Sequence, residues 1–200
     1  MKKGVLTVTL NEMQEKSAGL THELAMLSRV EAVKCYQCGK CTAGCPAAEF
    51  MDIMPNQVMR LVQQGLVEEA LNSKAIWICA TCETCSCRCP RNVDITHVME
   101  TLRIMAKHKG IITEKDIDKF HNVFLQSVKN HGRVYEVGLI VGRNLTTGKL
   151  FRDVQYGVPY LAKRKVHLLP ESVKAKDEVQ AIFERAAQLA ERDFKEAENK

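Results

Sequence analysis

Residues 35–46 read CYQCGKCTAGCP, and residues 79–90 read CATCETCSCRCP. Each cysteine of the first stretch has a counterpart 44 positions later, and Pro46 has its counterpart in Pro90. The pattern C-x2-C-x2-C-x3-C-P therefore occurs twice. Its eight cysteines are Cys35, Cys38, Cys41, Cys45, Cys79, Cys82, Cys85 and Cys89. This repeat is the strongest indication of fold and chemistry in the chain.

The spacing of these thiols is typical of iron–sulfur proteins. Three cysteines at two-residue intervals wrap around a cubane cluster, and the fourth, before a proline, ligates the other cluster in two-cluster ferredoxins. We therefore predict two [4Fe–4S] clusters with crossed ligands. The predicted sets are Cys35, Cys38, Cys41 and Cys89 for cluster one, and Cys79, Cys82, Cys85 and Cys45 for cluster two. Zinc is the main alternative, but structural zinc sites usually use separated Cys-x2–4-Cys pairs rather than triplets.

The sequence shows no sign of export or of a membrane span. Disulfides are not expected, because eight of nine cysteines lie in two tight clusters and no export signal is visible. No apolar run approaches the ~18 residues that span a bilayer. We therefore expect a cytoplasmic protein with no membrane partner.

Cys87 lies outside the repeat. A buried thiol without a role is favoured, and a spare ligand or a site of oxidative damage is the alternative.

Helices are predicted around the cysteine motifs. Pro55 begins a stretch with apolar residues at helical spacing that ends at Gly65, and residues 66–74 predict a second short helix. Asn92 or Asp94 is a candidate cap for a further helix. That helix is predicted to end at Gly110 and to bury Ile95, Val98, Leu102 and Met105. In THELAMLSRVEA, Thr21 is predicted to cap a helix before the first motif.

The predicted fold is mainly α and has three parts. Residues 1–19 form an N-terminal arm in which GVLTVTL alternates like a strand, and residues 20–110 form an α-helical ferredoxin-like domain with both clusters. Residues 111–200 form a C-terminal extension that docks partners. Within it, residues 132–170 are predicted to be extended, and a final helix is predicted from Ser172.

One basic segment carries the excess positive charge of the chain, whose net charge is +5. Residues 129–167 hold eight Lys or Arg against two acidic residues. A solvated surface and a binding site for nucleic acid or an acidic partner are both compatible with this composition. No aromatic-rich face interleaved with Lys or Arg is visible, so a nucleic-acid partner is not predicted.

Motifs for catalysis are missing from the sequence. There is no Gly-rich phosphate loop, HExxH or GxSxG motif, and no flavin or nicotinamide fingerprint. The six histidines are scattered without a carboxylate pattern. The chain is therefore predicted to move electrons without an active site of its own, between a donor and an acceptor on other proteins.

Three stretches resemble a known family. CYQCGKCTAGCP at 35–46, MDIMPNQVMRLVQQG at 51–65 and WICATCETCSCRCPRNVDI at 77–95 closely resemble the C subunit of soluble heterodisulfide reductase. The likeness extends to FLQSVKNHGRVYEVGL and KVHLLP, and so over most of the chain. The MPNQV continuation is the specific part, because the doubled cysteine pattern is shared by many helical ferredoxins.

The resemblance implies a role in a cytoplasmic, electron-bifurcating oxidoreductase complex. In that family an α-helical ferredoxin domain with two [4Fe–4S] clusters relays electrons from a flavin-containing A subunit to a disulfide-reducing B subunit with CCG motifs. Hydrogenase, formate dehydrogenase or other donor modules would reach the chain through the A-like subunit. This sequence has no adjacent cysteine pair, so it lacks the CCG motif. The resemblance leaves open whether the terminal substrate is the coenzyme M–coenzyme B heterodisulfide or another acceptor.

Two other functions compete with this one. The first is the iron–sulfur subunit of another dehydrogenase, of the fumarate or glycerol-phosphate type. Such relatives often carry a plant-type [2Fe–2S] module or CCG repeats in the same chain, and neither is visible here. The second is a metal-stabilised nucleic-acid-binding module built on residues 129–167, for which salt-dependent binding of DNA or RNA would be diagnostic.

Overall fold

Helices dominate the structure. The computed structural model describes residues 10–148 and 169–198, and in these ranges it contains helices and turns but no strand. The helices are α1 Leu10–Ser28, α2 Lys40–Ala43, α3 Pro55–Gln63, α4 Val67–Leu71, α5 Ala75–Ile78, α6 Thr84–Cys87, α7 Ile95–His108, α8 Lys115–His131, α9 Glu136–Thr147 and α10 Lys176–Glu198. Short 3-10 turns lie at Ala32–Lys34 and Ala48–Phe50. The predicted mainly α fold class is confirmed.

The chain forms two compact units. The first contains the residues up to Thr113 together with those from Asp193 onward, and the second is Glu114–Arg192. Helix α1 begins inside the predicted arm of residues 1–19, whereas residues 4–9 of its predicted strand lie outside the described residues. The predicted division into an arm, a ferredoxin domain and a C-terminal extension stays a prediction.

The core of the first unit lies where α1, α4 and α7 meet. Leu24 of α1, Leu71 of α4 and Leu102 of α7 are each at most 2% exposed. Burial of one such side chain stabilises a fold by about 1.5–3 kcal/mol. Around this core, the Lys109 ammonium lies 2.9 Å from the buried carboxylate of Glu23 and so links the end of α7 to α1.

The helix ends near the cysteine motifs follow the predicted signals. Pro55 is the first residue of α3, where its missing N–H costs no hydrogen bond, and Gly65 has φ 74° just after the helix. Asp94 caps α7 because its carboxylate accepts a hydrogen bond from the His97 N–H at 3.0 Å. Gly110, with φ 71°, follows the end of α7. These predictions are confirmed.

The prediction that Thr21 begins a helix is wrong. Thr21 lies inside α1, and its hydroxyl donates a hydrogen bond to the carbonyl of Ser17, one turn earlier, at 2.8 Å. The preceding residues, LNEMQEKSAGL, are rich in strong helix formers, so the helix extends back to Leu10. Inside a helix, a threonine hydroxyl can donate a hydrogen bond to a carbonyl one turn earlier. A threonine alone therefore does not mark the start of a helix.

The second unit contains α8 and α9, which pack against each other across a turn at Gly132. The prediction that residues 132–170 are extended is wrong for 136–147, which form α9, and residues 149–168 lie outside the described residues. The glycines of α9 serve close packing rather than an extended chain. A Cβ at Gly142 would lie 2.8 Å from a methyl group of Val123 on α8. A Cβ at Gly138 would likewise collide with the ring of Tyr135.

Helix α10 confirms the predicted final helix, although it begins at Lys176 rather than near Ser172. Its last residues belong to the first unit. There the ring of Phe194 stacks on the ring of His108, with centroids 4.0 Å apart and planes 3° apart. Among the described helices, none has the length and apolar character needed to cross a bilayer.

Candidate metal centre

The two cysteine motifs share one backbone conformation. Gln37 and Thr81 are equivalent in the repeat and have φ 63° and 51°, and the equivalent pair Gly39 and Glu83 has φ 75° and 60°. A left-handed residue other than glycine costs about 1–2 kcal/mol. Two such residues in the second motif show that tertiary structure holds this loop in shape.

Helices α2 and α6 continue this equivalence, because each follows its loop at the same offset of 44 residues. The hydrogen bonds that close the loops are matched as well. The Cys45 N–H donates to the carbonyl of Thr42, and the Cys89 N–H donates to the carbonyl of Ser86, both at 3.1 Å. The fourth cysteine of each motif therefore leaves its loop in the same direction relative to the first three.

A hydroxyl in each motif attaches the loop to the helix that follows. The Thr42 hydroxyl lies 2.6 Å from Asn56 Oδ1 and accepts a hydrogen bond from the Asn56 N–H at 3.2 Å. The Ser86 hydroxyl donates to the Asp94 carboxylate at 2.7 Å and accepts from the Thr96 N–H at 3.0 Å. Each loop is thus fixed to the N-terminus of a helix, whose dipole favours negative charge nearby.

The repeat continues into helices α3 and α7, a relation that the cysteine spacing does not predict. Counted from its first residue, each helix buries a Val-Met pair at positions four and five, and all four side chains are at most 1% exposed. These residues are Val58 and Met59 of α3, and Val98 and Met99 of α7. Equivalent residues of α3 and α7 are 40 positions apart, whereas equivalent cysteines are 44 positions apart. The second half of the repeat therefore has four residues fewer between its cysteine motif and its helix.

The ninth residue of each helix reaches back to the first cysteine of its motif. Gln63 of α3 donates from Nε2 to the carbonyl of Cys35 at 2.6 Å. Arg103 of α7 donates from Nη1 to the carbonyl of Cys79 at 3.0 Å. Equivalent helix positions therefore bind the first cysteine of both motifs. The side chain at this position is a neutral amide in Gln63 and a cation in Arg103.

Four thiols line one cavity, and they come from both motifs. Cys45 of the first motif shares the cavity with Cys79, Cys82 and Cys85 of the second, and Thr96 and Met99 of α7 complete part of its wall. Burial raises the pKa of the Cys79 thiol, and the nearby charges of Cys85 and Cys45 raise it further, while Arg103 opposes this. Four thiolates of this origin suit a cubane cluster. They are the set predicted for cluster two.

The other four thiols line no single described cavity, but Cys35 affects the pKa of Cys41, and Cys38 and Cys89 both affect the pKa of Tyr36. Burial raises the pKa of the Cys41 thiol, and the charge of Cys35 adds to this effect against hydrogen bonds from Thr42. Desolvation, a hydrogen bond with Cys38 and the charges of Cys38 and Cys89 raise the pKa of Tyr36. Cys89 of the second motif thus lies close enough to the first motif to affect Tyr36. In the described residues, no group of three Cys, His, Asp or Glu side chains is arranged to hold a single metal ion.

Comparison with known families identifies the segment that carries these thiols. Residues 34–94 match the family described as "4Fe-4S dicluster domain". We call residues 34–94 the dicluster domain after this match. The match covers both cysteine motifs and the whole of α3, and it makes iron–sulfur clusters the cofactor of the dicluster domain.

Curated relatives of the dicluster domain are components of reductases. The chain is 39% identical over 105 residues to the iron-sulfur C subunit of the CoB–CoM heterodisulfide reductase of Methanopyrus kandleri, which is 52% of this chain and 53% of the relative. It is 46% identical over 82 residues to the second iron-sulfur C subunit of that reductase in Methanocaldococcus jannaschii, 40% of this chain and 44% of the relative. It is 39% identical over 107 residues to the C subunit of the ferredoxin:CoB–CoM heterodisulfide reductase of Methanosarcina acetivorans, 54% of this chain and 40% of the relative.

These relatives confirm the resemblance seen in the sequence and support an iron–sulfur electron-transfer role. The chain spans about half the length of the curated relatives it matches.

Hydrogen-bonding groups surround the thiols of the dicluster domain in both motifs. Hydrogen bonds from Thr84 lower the pKa of the Cys82 thiol, and Thr96 Oγ1 lies 3.2 Å from Cys85 Sγ. In the other set, Gln37 Nε2 lies 3.6 Å from Cys35 Sγ, and the Val93 N–H donates to Cys89 Sγ at 3.3 Å. The sequence contains no pattern that singles out these groups, because they come from loops and from the N-termini of α6 and α7.

Cys87 and the cations near the dicluster domain's ligands lie mainly on the surface. The prediction that Cys87 is buried is wrong, since the thiol at the end of α6 is exposed. Lys40 and Arg91 are also exposed, so water screens their charges. Arg88 is exposed but lies across Gly44, where a Cβ would collide with the guanidinium. Gly44 and Arg88 are equivalent in the repeat, so the two motifs face each other at this point.

Proposed function

We propose that this chain is the electron-transfer subunit of a heterodisulfide-reductase-type complex. It relays electrons through two [4Fe–4S] clusters from a flavin-containing, electron-bifurcating A-like subunit to a disulfide-reducing B-like subunit. The ligands are Cys35, Cys38, Cys41 and Cys89 for one cluster, and Cys79, Cys82, Cys85 and Cys45 for the other. The names of the curated relatives and the match to a dicluster domain support this assignment.

The observation that carries the proposal is the cavity that Cys45 shares with Cys79, Cys82 and Cys85. Cys45 lies 34 positions before the nearest of these thiols in sequence, so the fold and not the local motif brings it there. This arrangement is what crossed ligation requires, since the fourth cysteine of a C-x2-C-x2-C-x3-C-P motif serves the other cluster. If each cysteine loop bound a cluster with its own four thiols, Cys45 would not need to line the cavity of the second motif.

Bound clusters would supply one-electron redox chemistry, and the residues of the chain would set its conditions. Gln63 and Arg103 fix the carbonyls of the first ligands, and Thr42 and Ser86 fix the loops. Hydrogen bonds and burial around the sulfurs set the reduction potential.

Side chains that would face a partner are exposed beside the motifs. Val33, Tyr36 and Phe50 are 82%, 59% and 67% exposed. Val33 and Tyr36 flank Cys35, and Phe50 follows Pro46 by four residues. Exposed apolar side chains close to a redox centre are typical of surfaces that other proteins cover. They support docking of an electron donor or acceptor over the cysteine loops.

The test is to purify the full chain without oxygen and to measure iron, acid-labile sulfide and the EPR spectrum of the reduced protein. We expect about eight iron and about eight sulfide per chain, with signals of two interacting cubanes. Cys45→Ser should disturb the cluster of the second motif, and Cys89→Ser that of the first. Cys87→Ser is the matched control, because Cys87 lies outside the repeat.

Three results would contradict the proposal. Zinc without sulfide in the purified chain would exclude an electron-transfer role. If Cys45→Ser instead disturbed the cluster held by the first motif, the clusters would form but the crossed ligand sets would be wrong. Loss of a cluster in Cys87→Ser would add Cys87 to the ligands and contradict the assignment of eight.

A further inference from the structure

The two halves of the repeat differ in charge at the helix position whose side chain binds the carbonyl of the first cysteine. Gln63 and Arg103 are each the ninth residue of the helix that follows their motif, and each donates to the carbonyl of the first cysteine of that motif. Gln63 also accepts a hydrogen bond from Gln37 at 3.0 Å, so the first motif has two neutral amides there. The second motif has the guanidinium of Arg103.

The position of Arg103 makes its charge effective. Arg103 is half-buried, whereas Lys40, Arg88 and Arg91 are exposed. Charges in contact with water are screened, and a partly buried charge acts more strongly on its neighbours. The contact places this charge beside the second motif, because Arg103 Nη1 lies 3.0 Å from the carbonyl oxygen of Cys79, the first ligand of that motif.

Hydrogen bonds to sulfur do not produce a comparable difference between the two sets. Each set has polar groups within hydrogen-bonding distance of two of its thiols: Gln37 and Val93 in the first set, and Thr84 and Thr96 in the second. Each also has one exposed cysteine, Cys38 or Cys82. Net charge, hydrogen bonds to sulfur and solvent exposure are the terms that set a cluster's potential. The first set contains one buried thiol, Cys41, and the second set has the half-buried guanidinium of Arg103 beside it.

We propose that Arg103 makes the cysteine set of the second motif the site of higher reduction potential, so that a single electron in the chain rests there. A positive charge stabilises the reduced form, which carries one more negative charge than the oxidised form. The step transfers one electron between the two sets, and no bond or proton changes at the thiolates. Arg103 is a positioning and potential-setting residue, and the relay consequently has a direction, from the first motif towards the second.

This inference rests on the proposed function, since both sets must hold clusters. The experiment is an anaerobic redox titration of the full chain followed by EPR, on wild type, Arg103→Gln and Gln63→Arg. Arg103→Gln should lower one of the two potentials by about 59 mV, which corresponds to a tenfold change in the one-electron equilibrium constant. Gln63→Arg should raise the other potential by a similar amount.

Two matched variants separate charge from structure. Arg103→Lys keeps the charge but changes the hydrogen-bonding group, so its potentials should stay near those of wild type. Lys107→Gln removes an exposed positive charge one turn farther along α7 and should also leave both potentials near wild type. Because Arg103→Lys and Arg103→Gln both lose the guanidinium, a difference between them reports on the charge.

The outcomes distinguish the inference from the function it rests on. Two cubanes whose potentials move no more in Arg103→Gln than in Lys107→Gln would overturn the role of Arg103 and leave the relay intact. The same conclusion follows if Arg103→Gln and Gln63→Arg shift the same potential. Fewer than two cubanes in the wild-type chain would overturn the proposed function, and the inference with it.

Discussion

At the scale of single residues, two hydroxyl groups hold the cysteine loops to the helices that follow them. In Thr42→Val the Asn56 N–H loses its acceptor, and in Ser86→Ala the Thr96 N–H does. An unsatisfied donor costs about 1–3 kcal/mol. We expect each variant to lower the melting temperature of the anaerobic protein by roughly 2–4 °C per kcal/mol lost. Circular dichroism at 222 nm measures this change, and the cluster absorbance should fade at the same lower temperature.

The control for these hydroxyls is Thr146→Val. The Thr146 hydroxyl is exposed on α9 and bonds only to carbonyls of its own helix, at 2.9 and 3.1 Å. Its loss should leave the melting temperature almost unchanged. If Thr42→Val and Thr146→Val melt together, the link between the loop and the helix contributes no stability.

At the scale of elements, α3 and α7 are two copies of one support. Met59 and Met99 occupy the same position in each, and both are at most 1% exposed. A Met→Ala change in a core costs about 2–5 kcal/mol through lost burial and the cavity left behind. We expect Met59→Ala and Met99→Ala to destabilise the first unit by similar amounts within this range, as measured by urea denaturation under anaerobic conditions.

Ile104→Ala is the reference for this comparison, since Ile104 is 48% exposed on α7. Its effect should be well below that of either methionine. An effect of Met59→Ala no larger than that of Ile104→Ala would show that α3 does not carry the first motif in the way that α7 carries the second.

The sequence predicts the cysteine repeat and most helix ends of the first unit, because these depend on local signals. Pro55, Gly65 and Asp94 act through their own backbone or through the adjacent turn. The second repeat, between α3 and α7, was missed because four fewer residues separate motif and helix in the second half, which changes the offset from 44 to 40. The shared Val-Met pair was the available signal.

Other features depend on contacts that local sequence does not encode. Arg103 contacts a residue 24 positions away, and no spacing rule relates them. Residues 136–147 are predicted to be extended but form α9, whose glycines let α8 and Tyr135 approach closely. Cys87 is predicted to be buried, but it is exposed at the end of α6, because its position in the motif does not determine which side of α6 faces the solvent.

At the scale of the whole molecule, the chain is proposed to work only in contact with two partners. We expect the purified chain to form a complex with A-like and B-like subunits that elutes as one species in anaerobic size-exclusion chromatography. Reduction of a disulfide by the B-like subunit should require the chain. It should fall at least tenfold in Cys45→Ser and stay at the wild-type level in Cys87→Ser.

Failure of either partner to associate would contradict the assignment of that partner. If the complex forms but Cys45→Ser supports wild-type turnover, electrons bypass the second cysteine set. In that case the proposed order of the relay is wrong even though the chain belongs to the complex.

The cavity that Cys45 shares with the second motif supports an exchange of the fourth cysteines between the motifs, and this exchange has a consequence for biosynthesis. In the proposed ligand sets, the first motif cannot complete its own cluster until Cys89 has been made, 44 residues after Cys45. At about 5–20 residues per second, the ribosome needs about 2–9 seconds for this stretch. During that time three cysteines of the first motif are present without their fourth ligand. With these proposed ligand sets, two complete clusters can form only after both halves have been translated, and a chain truncated before Cys89 would emerge with thiols but without a complete site.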